Sequence, residues 1–255
     1  MSAKWYDAVA ASLRADRPVA LATVVRGEGL VGRKLVVFPD GSFEGDVANG
    51  ALRDRVLADA LEALREGRSD TRTYALPDGE VAVFVEAFLP PPTLVVVGAV
   101  HTAIALTSMA RILGFRVVVV DPRAAFATSE RFPHVDQLVV AWPDEALPRL
   151  GLDASTYVAV LTHDPKLDEP ALRIALASPA RYVGAIGSRK TSQERAERLR
   201  RQGVTEDQLR RLHAPIGLPL GGRSPEEIAL SILSEIVAVR YGRRSAVVEY
   251  LAASR

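Results

Sequence analysis

Leu94–Val97 is a hydrophobic run that leads into Gly98-Ala99-Val100-His101-Thr102-Ala103. In a dinucleotide-binding turn the first glycine makes the tight turn. The second admits the pyrophosphate to the backbone, and the third lets the helix pack on the strand. Gly98 suits the first role and Ala103 the third. Val100 stands where the second glycine is expected, and its branched side chain obstructs the approach. Val100→Gly is therefore expected to strengthen diphosphate binding at this turn. The helix start still favours an anion, and His101 could reach into a crevice above it. The plain alternative is a structural turn with a surface histidine.

Three further stretches carry polar groups at the ends of hydrophobic runs. Asp121 lies about 20 positions past Gly98, the spacing of the acidic residue that grips a ribose diol. Arg123 beside it could bind a phosphate instead. Thr162-His163-Asp164 precedes Pro165. Asp164 reads as a helix cap with Pro165 at the first helical position, whereas Thr162 and His163 fall where substrate contacts arise, His163 as donor, base or ligand. Gly187-Ser188-Arg189-Lys190 makes an anion cradle at a helix start. The plain reading there is a solvated basic face, because Arg195, Arg198, Arg200 and Arg201 follow. Pro215–Leu218 and Gly221-Gly222 lie in a loop that could close one wall of a site.

Composition narrows the chemistry. The chain has no cysteine, which excludes disulfides, thiolate nucleophiles and thiolate-bound metals. Its histidines are His101, His134, His163 and His213, and none has the i, i+4 spacing of a helical zinc site. A formal net charge of +1 argues against binding nucleic acid by bulk charge. Arginine far outnumbers lysine, which reads as compositional bias or anion recognition. The first 20 residues, interrupted by Asp7 and Asp16, are not expected to act as a signal peptide, and no apolar run suits a membrane span. A cytoplasmic protein that binds neither nucleic acid nor membrane is expected.

The elements that must position these residues divide at Pro90-Pro91-Pro92, where neither a helix nor a central strand can continue. Residues 1–89 read as a small α+β domain. It has a helix over 3–15, a strand over 18–25, hairpins turning at Pro39-Asp40-Gly41 and Pro77-Asp78-Gly79, and a helix over 51–66 striped with Leu52, Val56, Ala60 and Leu64. Asn49 or Asp46 could cap that helix. Residues 93–255 alternate strands and helices. Runs at 93–98, 116–121, 137–142, 156–162 and 181–187 are near-continuous in Val, Ile and Leu, as in strands buried on both faces. Gly114 can end the first helix; Ser224, Pro225 and Glu227 start the last, and Gly242 ends it. The expected class is α/β: a Rossmann-like doubly wound parallel sheet behind a smaller α+β domain, with ligands beyond the carboxyl ends of the strands.

Taken together, "VVVGAVHTA", "VVVVDPRAAFATSERFP", "VLTHDPKLDEPAL", "YVGAIGSRKT", "APIGLPLG" and "SPEEIALSILSEIVAV" resemble the Rossmann domain of the xanthine dehydrogenase accessory protein family (XdhC/CoxI) over roughly residues 90–242. "LATVVRGEG" onward resembles the family's N-terminal domain more faintly. The resemblance implies a maturation factor that binds a molybdenum–pterin cofactor (molybdopterin) and assists its insertion into a molybdenum hydroxylase such as xanthine dehydrogenase. It implies a cofactor-binding chaperone that turns over no metabolite itself, and a homodimer. On that reading Gly98, His101, Asp121, Arg123, Thr162, His163, Asp164, Gly187, Ser188 and Arg189 line the cofactor crevice. Val100 departs from the family pattern, as does Asp46-Val47-Ala48-Asn49-Gly50, where a Gly-Gly-Cys-type stretch is usual. Two other readings stay open: an NAD(P)- or flavin-dependent oxidoreductase, weakened by Val100, and a cofactor-free docking scaffold for the hydroxylase.

Overall fold

The computed structural model describes residues 4–47, 50–77 and 79–253. The chain forms two compact units, Met1–Pro90 and Pro91–Arg255. Asn49 and the Asp78 of the second hairpin turn lie outside the described residues.

The first unit holds α1 (Lys4–Arg14), β1 (Val19–Arg26), β2 (Lys34–Val37), β3 (Phe43–Asp46), α2 (Gly50–Glu66), β4 (Asp70–Leu76) and β5 (Gly79–Phe88). Its strands form an antiparallel sheet in the order β3-β2-β1-β5-β4. Alternation along β1 sorts the side chains by face. Ala20, Ala22 and Val24 join the cluster that receives Leu52, Val56, Ala60 and Leu64 of α2. Val19 and Leu21 pack with Val9 of α1.

The second unit runs β6 (Thr93–Val97), α3 (His101–Ile112), β7 (Arg116–Val120), β8 (Gln137–Val139), α4 (Pro143–Leu150), β9 (Thr156–Val160), α5 (Pro165–Ala177), β10 (Tyr182–Ala185), α6 (Arg189–Arg201), α7 (Glu206–Arg210), β11 (Leu212–His213), α8 (Pro225–Arg240) and α9 (Arg244–Ala253). The sheet is parallel, in the order β11-β10-β9-β6-β7-β8. The chain therefore builds outward from β6 through β7 to β8, then returns to the other side of β6 with β9, β10 and β11. This is the doubly wound Rossmann order, and the direction reverses between β6 and β9.

Helices cover both faces, which is why the strands read as unbroken Val and Ile runs. Leu94 and Val96 point toward α3 and α8, meeting Leu106, Ile232 and Ile236. Val95 and Val97 point to the opposite face and meet Leu147, Leu172 and Leu199. Each such side chain, taken fully from water, contributes about 1.5–3 kcal/mol.

Helix ends follow local chemistry. Glu227 N–H donates to Ser224 Oγ at 3.2 Å, while the Glu227 carboxylate accepts from Ser224 N–H at 2.9 Å, closing the capping box. Asp164 accepts from Lys166 N–H at 3.0 Å with Pro165 at the first helical position. Gly114 follows the last residue of the α3 cap in a left-handed conformation (φ 80°). Two elements depart from expectation. β8 stops at Val139, because Trp142 is already the N-cap of α4. The sheet gains β11, two residues too short to leave a periodic signal, paired with Val183 and Gly184 of β10.

Candidate functional site: the carboxyl ends of the parallel strands

Ligands of open parallel sheets bind where the strand order reverses, which here is between the ends of β6 and β9. Gly98 closes β6 there with φ 108°. A Cβ on Gly98 would lie 2.3 Å from Thr162 Cγ2 and 3.3 Å from the Thr162 backbone nitrogen. Glycine is needed because the β6 turn passes directly against the end of β9.

Ala99 is held from both sides of its peptide. Its N–H donates to Asp121 Oδ2 at 2.7 Å, and its carbonyl accepts from Arg131 Nη1 at 2.9 Å. Asp121 is fully buried. It also accepts from Arg123 N–H and Nε, each at 2.9 Å, and from Arg123 Nη2 at 2.7 Å. Burial alone would raise this carboxyl. The hydrogen bonds from the Arg123 guanidinium, Ala99 N–H and Arg123 N–H outweigh it and hold Asp121 below the ordinary carboxylate range. Both its oxygens thus serve the protein's own donors rather than facing a ribose. The Arg123 guanidinium lies over the Phe126 ring, 4.6 Å from its centroid, and its charge is supported chiefly by Asp121, with Asp164 acting from the β9 side. Arg131 belongs to no binding motif legible in the sequence. Its only signal is the aromatic pair Phe126 and Phe132, with which it makes cation–π contacts.

At the end of β9, Thr162 is buried and its hydroxyl donates to Asp168 of α5. The same oxygen accepts from Asp164 N–H at 3.3 Å. Thr162 is thus turned into the protein, whereas His163 and Asp164 are exposed beside it. His101, the first residue of α3, is exposed as well. Val100, the N-cap of α3, has extended backbone, provides no side-chain cap and packs partly buried against the core.

At the end of β10, Ser188 caps α6, its Oγ accepting from Thr191 N–H at 3.1 Å. Arg189 and Lys190 are exposed. Arg195 is not part of a solvated basic face: it is only 2% exposed. Its Nη2 donates to Asp168 Oδ2 at 3.0 Å and to the Ile186 carbonyl at 2.9 Å. Burial pushes the Asp168 carboxyl up, against the lowering effect of Thr162 and Arg195. The signal that could have exposed Arg195 is helical phase. Ser192, Arg195 and Leu199 are the buried face of α6, and an arginine on that stripe must find a partner below.

The loop after β11 is tied down by another buried carboxylate. Glu235 of α8 accepts from Tyr182 Oη at 2.6 Å, Gly217 N–H at 2.9 Å and Arg244 Nε at 2.8 Å, with His213 Nδ1 at 3.2 Å. Burial would raise the carboxyl, but the hydrogen bonds from His213, Tyr182 and Arg244 prevail and bring it down to about 2. Among the described residues, no three histidine or carboxylate side chains converge as metal ligands, and no helix is long and apolar enough to cross a membrane.

The structure therefore brings His101, Arg123, His163, Asp164, Ser188 and Arg189 to the carboxyl ends of neighbouring strands. It turns Asp121 and Thr162 inward as supports.

Comparison with known proteins agrees with this architecture. Residues 94–236 match the XdhC Rossmann domain, and residues 12–75 match the XdhC and CoxI family. YqeB of Escherichia coli (strain K12) is 30% identical over 88% of this chain and 44% of its own length. A protein of Bacillus subtilis (strain 168), described as a probable subunit of xanthine dehydrogenase, is 31% identical over 72% of this chain and 54% of its own. The chain thus spans about half the length of these two relatives. The molybdenum cofactor insertion chaperone PaoD of E. coli is 23% identical over 90% of this chain and 86% of its own. A crystal structure of a xanthine dehydrogenase from Bacillus halodurans shares the fold, with TM-score 0.54 and 20% identity over 95% of this chain and 97% of that one. With a family domain matched across the parallel sheet and its covering helices, and the family's first region matched before it, this chain belongs to the XdhC and CoxI family.

Proposed function

We propose that this protein is a maturation factor that binds the molybdenum–pterin cofactor as cargo and assists its insertion into a molybdenum hydroxylase such as xanthine dehydrogenase. The observation that carries the reading is its likeness to a molybdenum cofactor insertion chaperone over most of both chains. The strand ends support it. The cargo brings a planar polar ring system and a phosphate. His101 and His163 offer imidazoles for the ring's polar edge, and Ser188 and Arg189 offer donors for the phosphate. With no cysteine in the chain, no thiolate holds the molybdenum, so the donors here suit the organic part of the cargo. The cofactor supplies the redox centre of the recipient enzyme. This chain's part is to hold it, shield it from water and release it, in the cytoplasm and without turnover of its own.

The dinucleotide reading is opposed by Asp121, whose carboxylate is buried and hydrogen-bonded to Ala99 and Arg123 where a ribose diol would need it free. Titration with NADH or NADPH is expected to give no binding heat at millimolar ligand.

The deciding experiment incubates the purified full chain with molybdopterin, separates it by gel filtration and presents the complex to apo-hydroxylase. Co-elution and gain of hydroxylase activity are expected, with both reduced in His163→Ala. Failure of the wild-type protein to retain the cofactor would remove the proposal.

A further inference from the structure

The two turns that flank the crevice look equivalent in sequence, each a strand running through glycine into a helix. They differ in the donors left behind them. Behind the β6 turn lies Asp121, a fully buried carboxylate that already takes the Ala99 N–H at 2.7 Å. That carboxylate is itself paired with the Arg123 guanidinium at 2.7 Å, so an anion arriving there would find the Ala99 N–H already spent and no free cation beneath it. Behind the β10 turn lies Arg195, a guanidinium only 2% exposed. Its Nη1 is the one buried side-chain nitrogen or oxygen without a hydrogen-bond partner among the described residues. That atom is aimed at the turn: it lies 3.5 Å from where a Cβ on Gly187 would stand.

We propose that Gly187-Ser188-Arg189, backed by the buried Arg195 guanidinium, is the phosphate subsite of this crevice, and that the β6 turn, where a dinucleotide fold would hold its pyrophosphate, is not. The ligand class is a phosphate monoester. The local chemistry agrees. The N-terminus of α6, a 13-residue helix, presents free N–H groups and the positive end of its dipole. Gly187 carries no Cβ, which would otherwise stand in contact with the Thr191 side chain and with that nitrogen. A buried charge acts on a nearby anion through the low-dielectric interior without touching it. Asp168 offsets part of this charge, since its Oδ2 accepts from Arg195 Nη2 at 3.0 Å, but it leaves Nη1 without a partner. Leaving a buried N–H unpaired is unfavourable, and an anion drawn to the turn gives that N–H an electrostatic counterpart.

The phosphate of the cargo named above would occupy this subsite, and in that respect alone the inference rests on the functional reading. The test uses inorganic phosphate with the full chain, followed by calorimetry and by amide chemical shifts. Saturable binding is expected, with shifts centred on Gly187–Lys190 and an affinity roughly tenfold weaker in Arg189→Ala, the loss of one charge-assisted hydrogen bond. Arg195→Met paired with Asp168→Leu removes the buried ion pair as a unit and is expected to weaken phosphate at least as much. If that variant does not fold, the shift map and Arg189→Ala decide. Absence of saturable binding, shifts centred on Ala99–Thr102, or affinity unchanged in Arg189→Ala would overturn the proposal. Phosphate binding at Gly187–Lys190 without cofactor retention would uphold it and reject the maturation role. Cofactor retention without phosphate binding would do the reverse.

Discussion

Asp121 shows how one residue can satisfy a motif and serve a different purpose. Its spacing from Gly98 matches a ribose-binding acid, yet its carboxylate ties the Ala99 turn and the Arg123 backbone together. Asp121→Asn keeps the shape but turns a donor toward Ala99 N–H and gives up the charge that faces Arg123. A loss of about 1–3 kcal/mol is expected, read as a lower urea midpoint with unchanged slope. An unchanged midpoint would show that the turn holds without this pin. Val100 likewise departs from the role its motif position suggests. Its extended backbone suits any residue, and its side chain packs on the core. Removing it clears the approach but leaves the Asp121 carboxylate behind the turn. Val100→Gly is therefore expected to leave pyrophosphate affinity within about twofold, by calorimetry, contrary to what the motif alone suggests. A tenfold gain would show that the side chain was the sole obstruction.

At the scale of elements, the proposed site depends on how closely neighbouring strand ends approach. Gly98→Ala puts a methyl group 2.3 Å from Thr162 Cγ2 at a φ of 108°. Strain and overpacking together should cost about 3 kcal/mol or more, visible as a large drop in melting temperature. A drop of only a degree or two would mean that β6 and β9 separate easily. Glu235 joins α8 to β10, β11 and the loop at Gly217. Its carboxyl is lowered from 4.5 to about 2. A lowered pKa stabilises the fold above the unfolded value and loses that contribution as pH falls through the folded one. The window is therefore roughly pH 4.5 down to 2, and the contribution at neutral pH is roughly 3 kcal/mol. Glu235→Gln should melt earlier at pH 7 and show a shallower fall in stability across that window. Parallel acid profiles for the two proteins would mean that another carboxylate controls the slope.

At the scale of the whole molecule, each compact unit has its own cores. Two large clusters lie on either side of the parallel sheet, and two smaller ones lie on either side of the antiparallel sheet. We expect a fragment spanning 91–255 to fold alone with a cooperative melt. A non-cooperative melt by circular dichroism would show that the second unit needs the first. The same fragment should keep the phosphate response, since every residue of that subsite lies within it.

What the chain's order of residues determined by itself was local. Val-rich runs mark strands buried on both faces, the Leu52–Leu64 stripe marks α2, and Ser224 with Glu227 marks the start of α8, because these signals arise from neighbours a few positions apart. The alternation of strand and helix was enough to name a doubly wound sheet, and the ordered set of motifs was enough to name the family. Tertiary structure alone decided which polar residues at the strand ends turn into the protein and which stay exposed. Asp121 meets Ala99 across 22 positions, and Arg195 meets Asp168 across 27. Whether such a side chain points at a ligand or at the protein depends on which strands lie side by side. Strand order is set by packing over the whole sheet, and only when that sheet closed did one glycine turn have its Ala99 N–H taken by a buried carboxylate while the other gained an unpartnered guanidinium nitrogen beneath it.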